Sequence, residues 1–303
     1  MANALLLLPD FLLILLGFFI CRRTGLDRPV WEAAEKLVYF LLFPVLLFNS
    51  IVKSPLQLGT SASLALAGVG TTAIGVAVAL AIGRWPGIDK RLHASGAQTA
   101  FRFNSYVALA LSERLYGAQG LAWMALLIAL AVPLCNIAAV WPLARHGGHR
   151  YWREIARNPL VISTLLGLVA NATGLVLPES IATVMQRIGV AALPLGLMAV
   201  GAGLVFGGLK VAPVLATALL AIRHALLPVI AIGLALALAL PAEQRSIVVL
   251  FGALPTSAAA YVLATRMGGD GGFVSGLVTV STLLGMLSVP LWLAALALLT
   301  GAP

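Results

Sequence analysis

The sequence predicts an all-α membrane protein with about ten transmembrane helices, arranged as two inverted repeats of five helices. Its composition is the first observation: 61% of the 303 residues are hydrophobic and only 10% are charged, whereas a soluble domain carries about 25% charged residues. The second observation is that apolar segments long enough to cross a bilayer recur along the whole chain. Helices are favoured because backbone groups in lipid must be hydrogen-bonded within their own segment, and the alternating pattern of a membrane barrel is missing.

Each predicted span is an apolar run between short loops, which leave no room for a soluble domain. The first run has no basic residues before it and no small-residue cleavage site after it. This argues against a cleaved signal peptide and favours an outward-facing N-terminus. The predicted spans are residues 4–21, 34–52, 61–83, 93–112, 119–143, 158–177, 181–206, 212–239, 244–265 and 272–299.

The longest polar loop lies between the fifth and sixth spans and divides the chain into two halves. This loop contains Gly147-Gly148 and Asn158-Pro159, pairs that are typical of turns and loops. We therefore expect a first five-span repeat at residues 1–143, a cytoplasmic linker at 144–157 and a second five-span repeat at 158–303.

The distribution of Lys and Arg predicts the orientation of the helices in the membrane. If the N-terminus is outside, thirteen of the 19 basic residues lie in inner loops, and three, Lys53, Arg114 and Arg245, lie in outer loops. Such an excess on one side is what the positive-inside rule requires. Both termini are then expected on the outer side of the membrane.

This orientation predicts that cysteines introduced at positions 148 and 210 react only from the cytoplasm, because both positions lie in the basic loops. A cysteine at position 58 should react only from outside. Labelling intact cells and inverted vesicles with a membrane-impermeant maleimide measures both. Reaction of position 148 from outside would contradict the inverted arrangement.

Local similarity between the two halves indicates an internal repeat. Trp31–Ile51, which contains Pro44, aligns with Ile181–Gly201, which contains Pro194. Because each half has an odd number of spans, the second half must insert upside down, a common plan of secondary transporters. Pro44 and Pro194 are also expected to break their helices.

Spans four and nine carry the strongest disruptions of the apolar pattern. Span four contains the run Gln98–Tyr106, and span nine contains Gly252–Ser257. The repeat alignment places Phe103 on Pro255, and both are expected to interrupt their helices. Broken helices at matching places of inverted halves predict an anion site near the midplane, where half-helix N-termini offer partial positive charge. Two kinked packing helices are the alternative.

The candidate substrate-binding residues lie mainly on these two breaks. The Asn104 amide can donate two hydrogen bonds to a carboxylate. Arg102 is costly in lipid, so it should face protein or a water-filled cavity, where it can pair with an anion in bidentate fashion. A purely structural hydrogen bond is the alternative for each. The full candidate set is Asn104, Arg102, Ser105, Pro255, Thr256, Ser257, Asn49 and Tyr261.

Other polar groups within the spans have structural interpretations. Arg187 and Arg223 lie close to span ends, so we expect both side chains to snorkel to the headgroups. His93 and His224 are lone histidines near span ends, where structural roles are more common. No Asp or Glu is expected deep within a span, which disfavours a dedicated Na⁺ site or a proton relay.

Several functional classes find no support in the sequence. It has no Ser-His-Asp order, no metal-ligand cluster and no phosphate-binding glycine loop, so we expect no enzyme activity, metal or cofactor. The net charge of +9 arises from loop residues rather than one basic face, so we expect no nucleic-acid partner. The expected partners are the lipid bilayer and a small-molecule ligand, with homodimerisation left open.

Two segments resemble the auxin efflux carrier family. Asn104–Gly117 is similar to its fourth-span crossover, for which the plant PIN-formed carriers have a Pro-Asn-Thr start and a Tyr-Gly finish. Ala253–Ser257, followed by Tyr261 and Asp270, is similar to the ninth-span crossover. The resemblance covers nearly the whole chain, and the family is distantly related to the bile acid:sodium symporters.

The resemblance implies ten spans in two inverted repeats, with a scaffold part and a transport part formed by helices from both. It also implies a bacterial permease for malate, malonate or similar acids. Asn104 and Pro255 match positions that shape the family's substrate site, and Arg102 resembles the Arg-x-Asn of bacterial members. Phe103 departs from the proline of the plant carriers, so a milder break is expected there.

The sequence is therefore interpreted as a carrier of small organic anions, such as mono- or dicarboxylates or auxin-like acids, in a bacterial inner membrane. Elevator-like alternating access around spans four and nine is the expected mechanism. A Na⁺-coupled symporter of a larger amphipathic anion is one alternative. A structural or sensory membrane subunit without transport is the alternative from another class.

Overall fold

The computed structural model describes residues 2–53, 58–143, 159–205 and 207–300. Within these residues the regular structure is helical and no β-strand occurs, which confirms the all-α class. Six helices of the described part are long and apolar enough to cross a membrane: Arg28–Lys53, Ala62–Arg84, Lys90–Ala139, Glu179–Ala202, Pro213–Ala237 and Gly271–Thr300.

Fourteen α-helices follow one another along the described chain. They are α1 Ala2–Arg23, α2 Arg28–Leu37, α3 Phe43–Lys53, α4 Leu58–Ala81, α5 Lys90–Gly96, α6 Gln98–Phe101, α7 Ser105–Leu143, α8 Pro159–Ala172, α9 Glu179–Ala202, α10 Pro213–Ala221, α11 Leu227–Ala237, α12 Ala242–Ala253, α13 Ala259–Arg266 and α14 Gly271–Thr300. Short π-helical turns join α2 to α3 and α10 to α11. Helix α7 is broken at Tyr116 and Gly117, where Gly117 has a φ of 56°.

Three helices of the described chain are shorter than a membrane span. Helices α8, α12 and α13 contain 14, 12 and 8 residues, fewer than the roughly 20 that a span requires. Helix α12 and helix α13 are short because the chain between them is non-helical. Ten spans in inverted repeats remain a prediction, and the predicted linker at 144–157 lies outside the described residues.

The chain forms two compact units, and each unit draws on three separate segments. The first unit contains Met1–Ala62, Tyr106–Ala129 and Trp152–Gly203. The second unit contains Ser63–Ser105, Leu130–Tyr151 and Leu204–Pro303. Both predicted helix breaks, at 102–104 and 254–257, therefore belong to the second unit.

Close packing of α1 against α9 organises the first unit. A Cβ on Gly17 would overlap the backbone of Met198, and a Cβ on Gly201 would overlap the carbonyl oxygen of Ile14. Small residues let helix backbones approach in this way, which increases van der Waals contact where lipid supplies no hydrophobic force between helices. Helix α3 packs between α8 and α9.

One acidic residue lies deeper in a helix than the sequence analysis expected. Asp10 is 6% exposed within α1. Its carboxylate forms an ion pair with Arg114, with Oδ2 3.3 Å from Nε. The expectation that no acid lies deep in a span is corrected here. Since the Arg114 guanidinium compensates its charge, Asp10 can be buried without a bound cation.

Pro44 and Pro194 do not interrupt their helices, contrary to expectation. The π-helical turn Val38–Leu42 precedes Pro44, and α3 continues through the proline. Helix α9 is continuous from Glu179 to Ala202 with Pro194 inside it. Membrane helices tolerate proline because local π adjustments and neighbouring groups satisfy the freed backbone atoms.

Candidate functional site

Two helix interruptions define the candidate site. Helix α6 ends at Phe101, and the chain is non-helical until α7 begins at Ser105. Helix α12 ends at Ala253, and α13 begins at Ala259. The backbone becomes extended at Arg102 (φ −71°, ψ 146°) and at Leu254 (φ −54°, ψ 146°). Each interruption is therefore flanked by the C-terminus of one helix and the N-terminus of the next.

The two interruptions meet inside the second unit. The Asn104 N–H donates a 2.8 Å hydrogen bond to the Pro255 carbonyl oxygen. The Phe103 and Phe251 rings pack edge to face with centroids 4.7 Å apart. Asn104 and Phe103 are each 4% exposed. The structure thus brings together the two breaks that the sequence placed far apart along the chain.

Arg102 is held by another polar side chain of the second unit. Its Nη2 donates a 2.7 Å hydrogen bond to Oδ1 of Asn136 on α7. This partner is a neutral side chain of the protein, as in the structural alternative, although binding of an anion by Arg102 stays a prediction. The Arg102 guanidinium places a positive charge beside the first break.

The polar residues of the second break have different environments. Thr256 is fully buried, and its N–H donates a 2.9 Å hydrogen bond to Ser281 Oγ. The Thr256 Oγ1 has no hydrogen-bond partner within the described chain. Ser257 Oγ accepts a hydrogen bond from the Ala259 N–H at the start of α13. Pro255 packs against Gly285, where a Cβ would lie 3.1 Å from the proline ring.

Three further candidates lie in less central positions. Ser105 begins α7 and is partly buried. Tyr261 lies on α13 and is 44% exposed. Asn49 lies on α3 in the first unit, where it is buried and its Oδ1 has no hydrogen-bond partner among the described residues.

Gln98 and Ser95 brace both breaks from the side of α5 and α6. Gln98 is 1% exposed, and its Nε2 donates a 3.1 Å hydrogen bond to the Ala260 carbonyl oxygen on α13. Ser95 Oγ accepts a hydrogen bond from the Asp270 N–H, and Asp270 in turn accepts from the Phe273 N–H at the start of α14. These buried bonds connect segments on either side of the two interruptions.

Arg223 lies at the second break, and sequence reasoning placed it wrongly. It is only 2% exposed, so it does not snorkel. Its Nη2 donates hydrogen bonds of 3.0 and 2.7 Å to the carbonyl oxygens of Phe251 and Gly252, in the last turn of α12. Arg223 therefore caps the helix end that opens the second break. The sequence feature that could have indicated a buried role for Arg223 is the Arg-His pair within the otherwise apolar segment 213–237.

The π-helical turn Ile222–Leu226 determines where Arg223 and His224 point. Pro228 has no N–H to donate to the carbonyl of His224, four residues earlier. The Trp292 indole Nε1 donates a 2.7 Å hydrogen bond to that oxygen instead. His224 Nε2 lies 2.8 Å from Ser281 Oγ, and Nδ1 lies 2.9 Å from Ser288 Oγ. His224 thus supports the second break through Ser281, a structural role that agrees with the sequence-based interpretation.

A shallow surface cleft of about 480 Å³ lies in the first unit, lined by Glu179, Ser180, Thr183, Val184 and Arg187. It opens to the surface and includes neither break. Within the described residues, no group of three or more His, Cys, Asp or Glu is arranged to hold a metal ion. We therefore regard the paired breaks, which combine buried polar groups, helix ends and two arginines, as the candidate site.

Comparison with known proteins finds a membrane transport family and relatives named as transporters. Residues 89–293, which include both interruptions, match the family described as membrane transport protein. The chain is 27% identical over 307 residues to the "Putative malonate transporter" of Rhizobium meliloti (strain 1021), covering 94% of this chain and 92% of that protein. It is also 32% identical over 146 residues to an "Uncharacterized transporter" of Methanothermobacter thermautotrophicus, covering 48% of each.

Proposed function

The chain belongs to the membrane transport protein family, and we propose that it carries small organic anions across a bacterial inner membrane as a secondary-type carrier. Malonate and other mono- or dicarboxylates are the proposed substrates, since the Rhizobium meliloti relative is named for malonate. Both termini are proposed to lie outside, as the Lys and Arg distribution predicts.

The observation that carries this proposal is the meeting of the two interruptions at the Asn104–Pro255 hydrogen bond. Helices α7 and α13 begin at these breaks, and the positive end of a helix dipole lies at its N-terminus, where it favours an anion. The charged side chains of the site, Arg102 and Arg223, are both cationic. A carboxylate is the ligand class that this combination favours.

Alternating access is proposed because two central residues of the candidate site are closed to solvent. Asn104 and Thr256 are 4% and 0% exposed, so a substrate can reach them only if the protein rearranges. We propose an elevator-like alternation in which the second unit, which contains both breaks, carries the anion between the two sides. Its compactness supports movement as one body.

Counterflow in proteoliposomes tests the function. Vesicles loaded with unlabelled malonate should accumulate labelled malonate to saturation, and empty liposomes should not. We expect the flux to change little when Na⁺ is replaced by K⁺ or choline. The reason is that the acid buried within a helix, Asp10, is already paired with Arg114, while the site itself supplies cationic side chains.

The outcomes separate the alternatives. A steep, saturable dependence on Na⁺ would support the Na⁺-coupled symporter instead. Absence of counterflow with every mono- and dicarboxylate tested, by protein that remains folded in the vesicles, would contradict the carrier function.

A further inference from the structure

We propose that Arg223 is a positioning residue that makes the second break selective for anions and favours substrates with two negative charges. It does so by neutralising the C-terminal end of α12, and the inference rests on the proposed function. Arg223 was expected to snorkel at a span end, but its side chain is buried.

A helix interruption presents two opposite poles to whatever binds there. The N-terminus of α13 attracts an anion, but the C-terminus of α12 carries about half a negative charge on its free carbonyl oxygens. An anion at the break is repelled by that end unless another group neutralises it. Arg223 Nη2 donates hydrogen bonds to two of these oxygens, those of Phe251 and Gly252.

The charge of Arg223 is larger than the charge that it neutralises. A guanidinium stays protonated under physiological conditions and contributes one full positive charge. Among the described residues, no carboxylate forms an ion pair with Arg223. Its Nε–H also has no hydrogen-bond partner within the described chain. A net positive charge therefore remains behind the second break, where it favours an anion.

The two breaks differ in the side chain that contacts the C-terminus of the preceding helix. At the first break, the Phe101 carbonyl oxygen at the end of α6 is 3.5 Å from the neutral Cys135 thiol, which donates to it. At the second break, the corresponding helix end is met by a buried cation. The π-helical turn and the Trp292–His224 hydrogen bond hold that cation in place. Arg223 thus places a positive charge directly against the helix end at the second break.

The test compares two probes of similar shape and different charge. Malonate carries two negative charges at neutral pH, and monomethyl malonate carries one. Removing a buried positive charge at about 10 Å weakens binding by roughly tenfold for each charge on the ligand. We expect Arg223→Gln to raise the KM for malonate about tenfold more than the KM for monomethyl malonate. Arg223→Lys, which retains the charge, should keep the wild-type ratio of the two KM values.

Arg187→Gln is the matched control, because it removes one positive charge from an exposed arginine of the first unit. Its KM ratio should equal that of the wild type. If Arg223→Gln and Arg223→Lys each raised the KM for both probes by the same factor, Arg223 would be only a structural cap, and the inference would be overturned. If Arg223→Gln does not fold, Arg223→Met removes the same charge in its place, and a wild-type ratio of the two KM values in that variant overturns the inference. Wild-type protein that transports neither probe contradicts the proposed function itself.

Discussion

Asn104→Ala is expected to lower malonate transport by about 10- to 100-fold while the protein still folds. Hydrogen bonds to a charged group are worth about 1.5–3 kcal/mol each, and every 1.4 kcal/mol is a factor of ten. Truncation removes up to two amide donors at a site that is 4% exposed. The backbone hydrogen bond from Asn104 to Pro255 does not depend on the side chain. Counterflow rates per folded protein measure the loss.

Asn171→Ala provides the matched control for this substitution. The Asn171 amide donates hydrogen bonds of 2.9 and 3.2 Å to the carbonyl oxygens of Ile51 and Val52 in the first unit. Its loss should lower the melting temperature and leave the transport rate of folded protein near that of the wild type. If Asn104→Ala transports like the wild type, the substrate does not bind at the paired breaks.

Gly201→Ala is expected to destabilise the first unit by several kcal/mol, enough to abolish most folded protein. The added Cβ would overlap the Ile14 carbonyl oxygen and lie 2.9 Å from the Phe18 nitrogen. Both are backbone atoms of α1, so no side-chain rotation relieves the clash and the two helices must separate. The yield of monodisperse protein and its melting temperature in detergent measure the effect.

Gly233→Ala makes the same chemical change where there is space. A Cβ on Gly233 in α11 meets no atom within 4 Å. Replacing a helix-interior glycine by alanine should then be neutral or stabilise by about 0.5–1 kcal/mol. Equal melting temperatures for the two variants would show that α1 and α9 are not packed as closely as described.

The helix breaks could be predicted from local sequence. A polar run with Arg102 and Asn104, and a proline at position 255, are enough to locate two interruptions within apolar segments. Both follow from local rules, because a missing N–H or competing side-chain hydrogen bonds disrupt the helix where they occur. Proline alone was not sufficient, since α9 continues through Pro194.

Local sequence did not predict which charged side chains are buried. Asp10 is buried because Arg114 pairs with it, and Arg223 is buried because α12 ends beside it. Neither partner is near in sequence, so the distance from a span end could not predict whether these side chains reach water.

The sequence by itself determined the all-α class and the positions of the two breaks, because composition and local backbone chemistry act through neighbouring residues. The tertiary structure alone decided that Asn104 meets Pro255 and that Asp10 pairs with Arg114. It also decided that Arg223 caps α12. These contacts join segments far apart in the chain, and a buried polar group is stabilised only by partners that packing brings within hydrogen-bond distance.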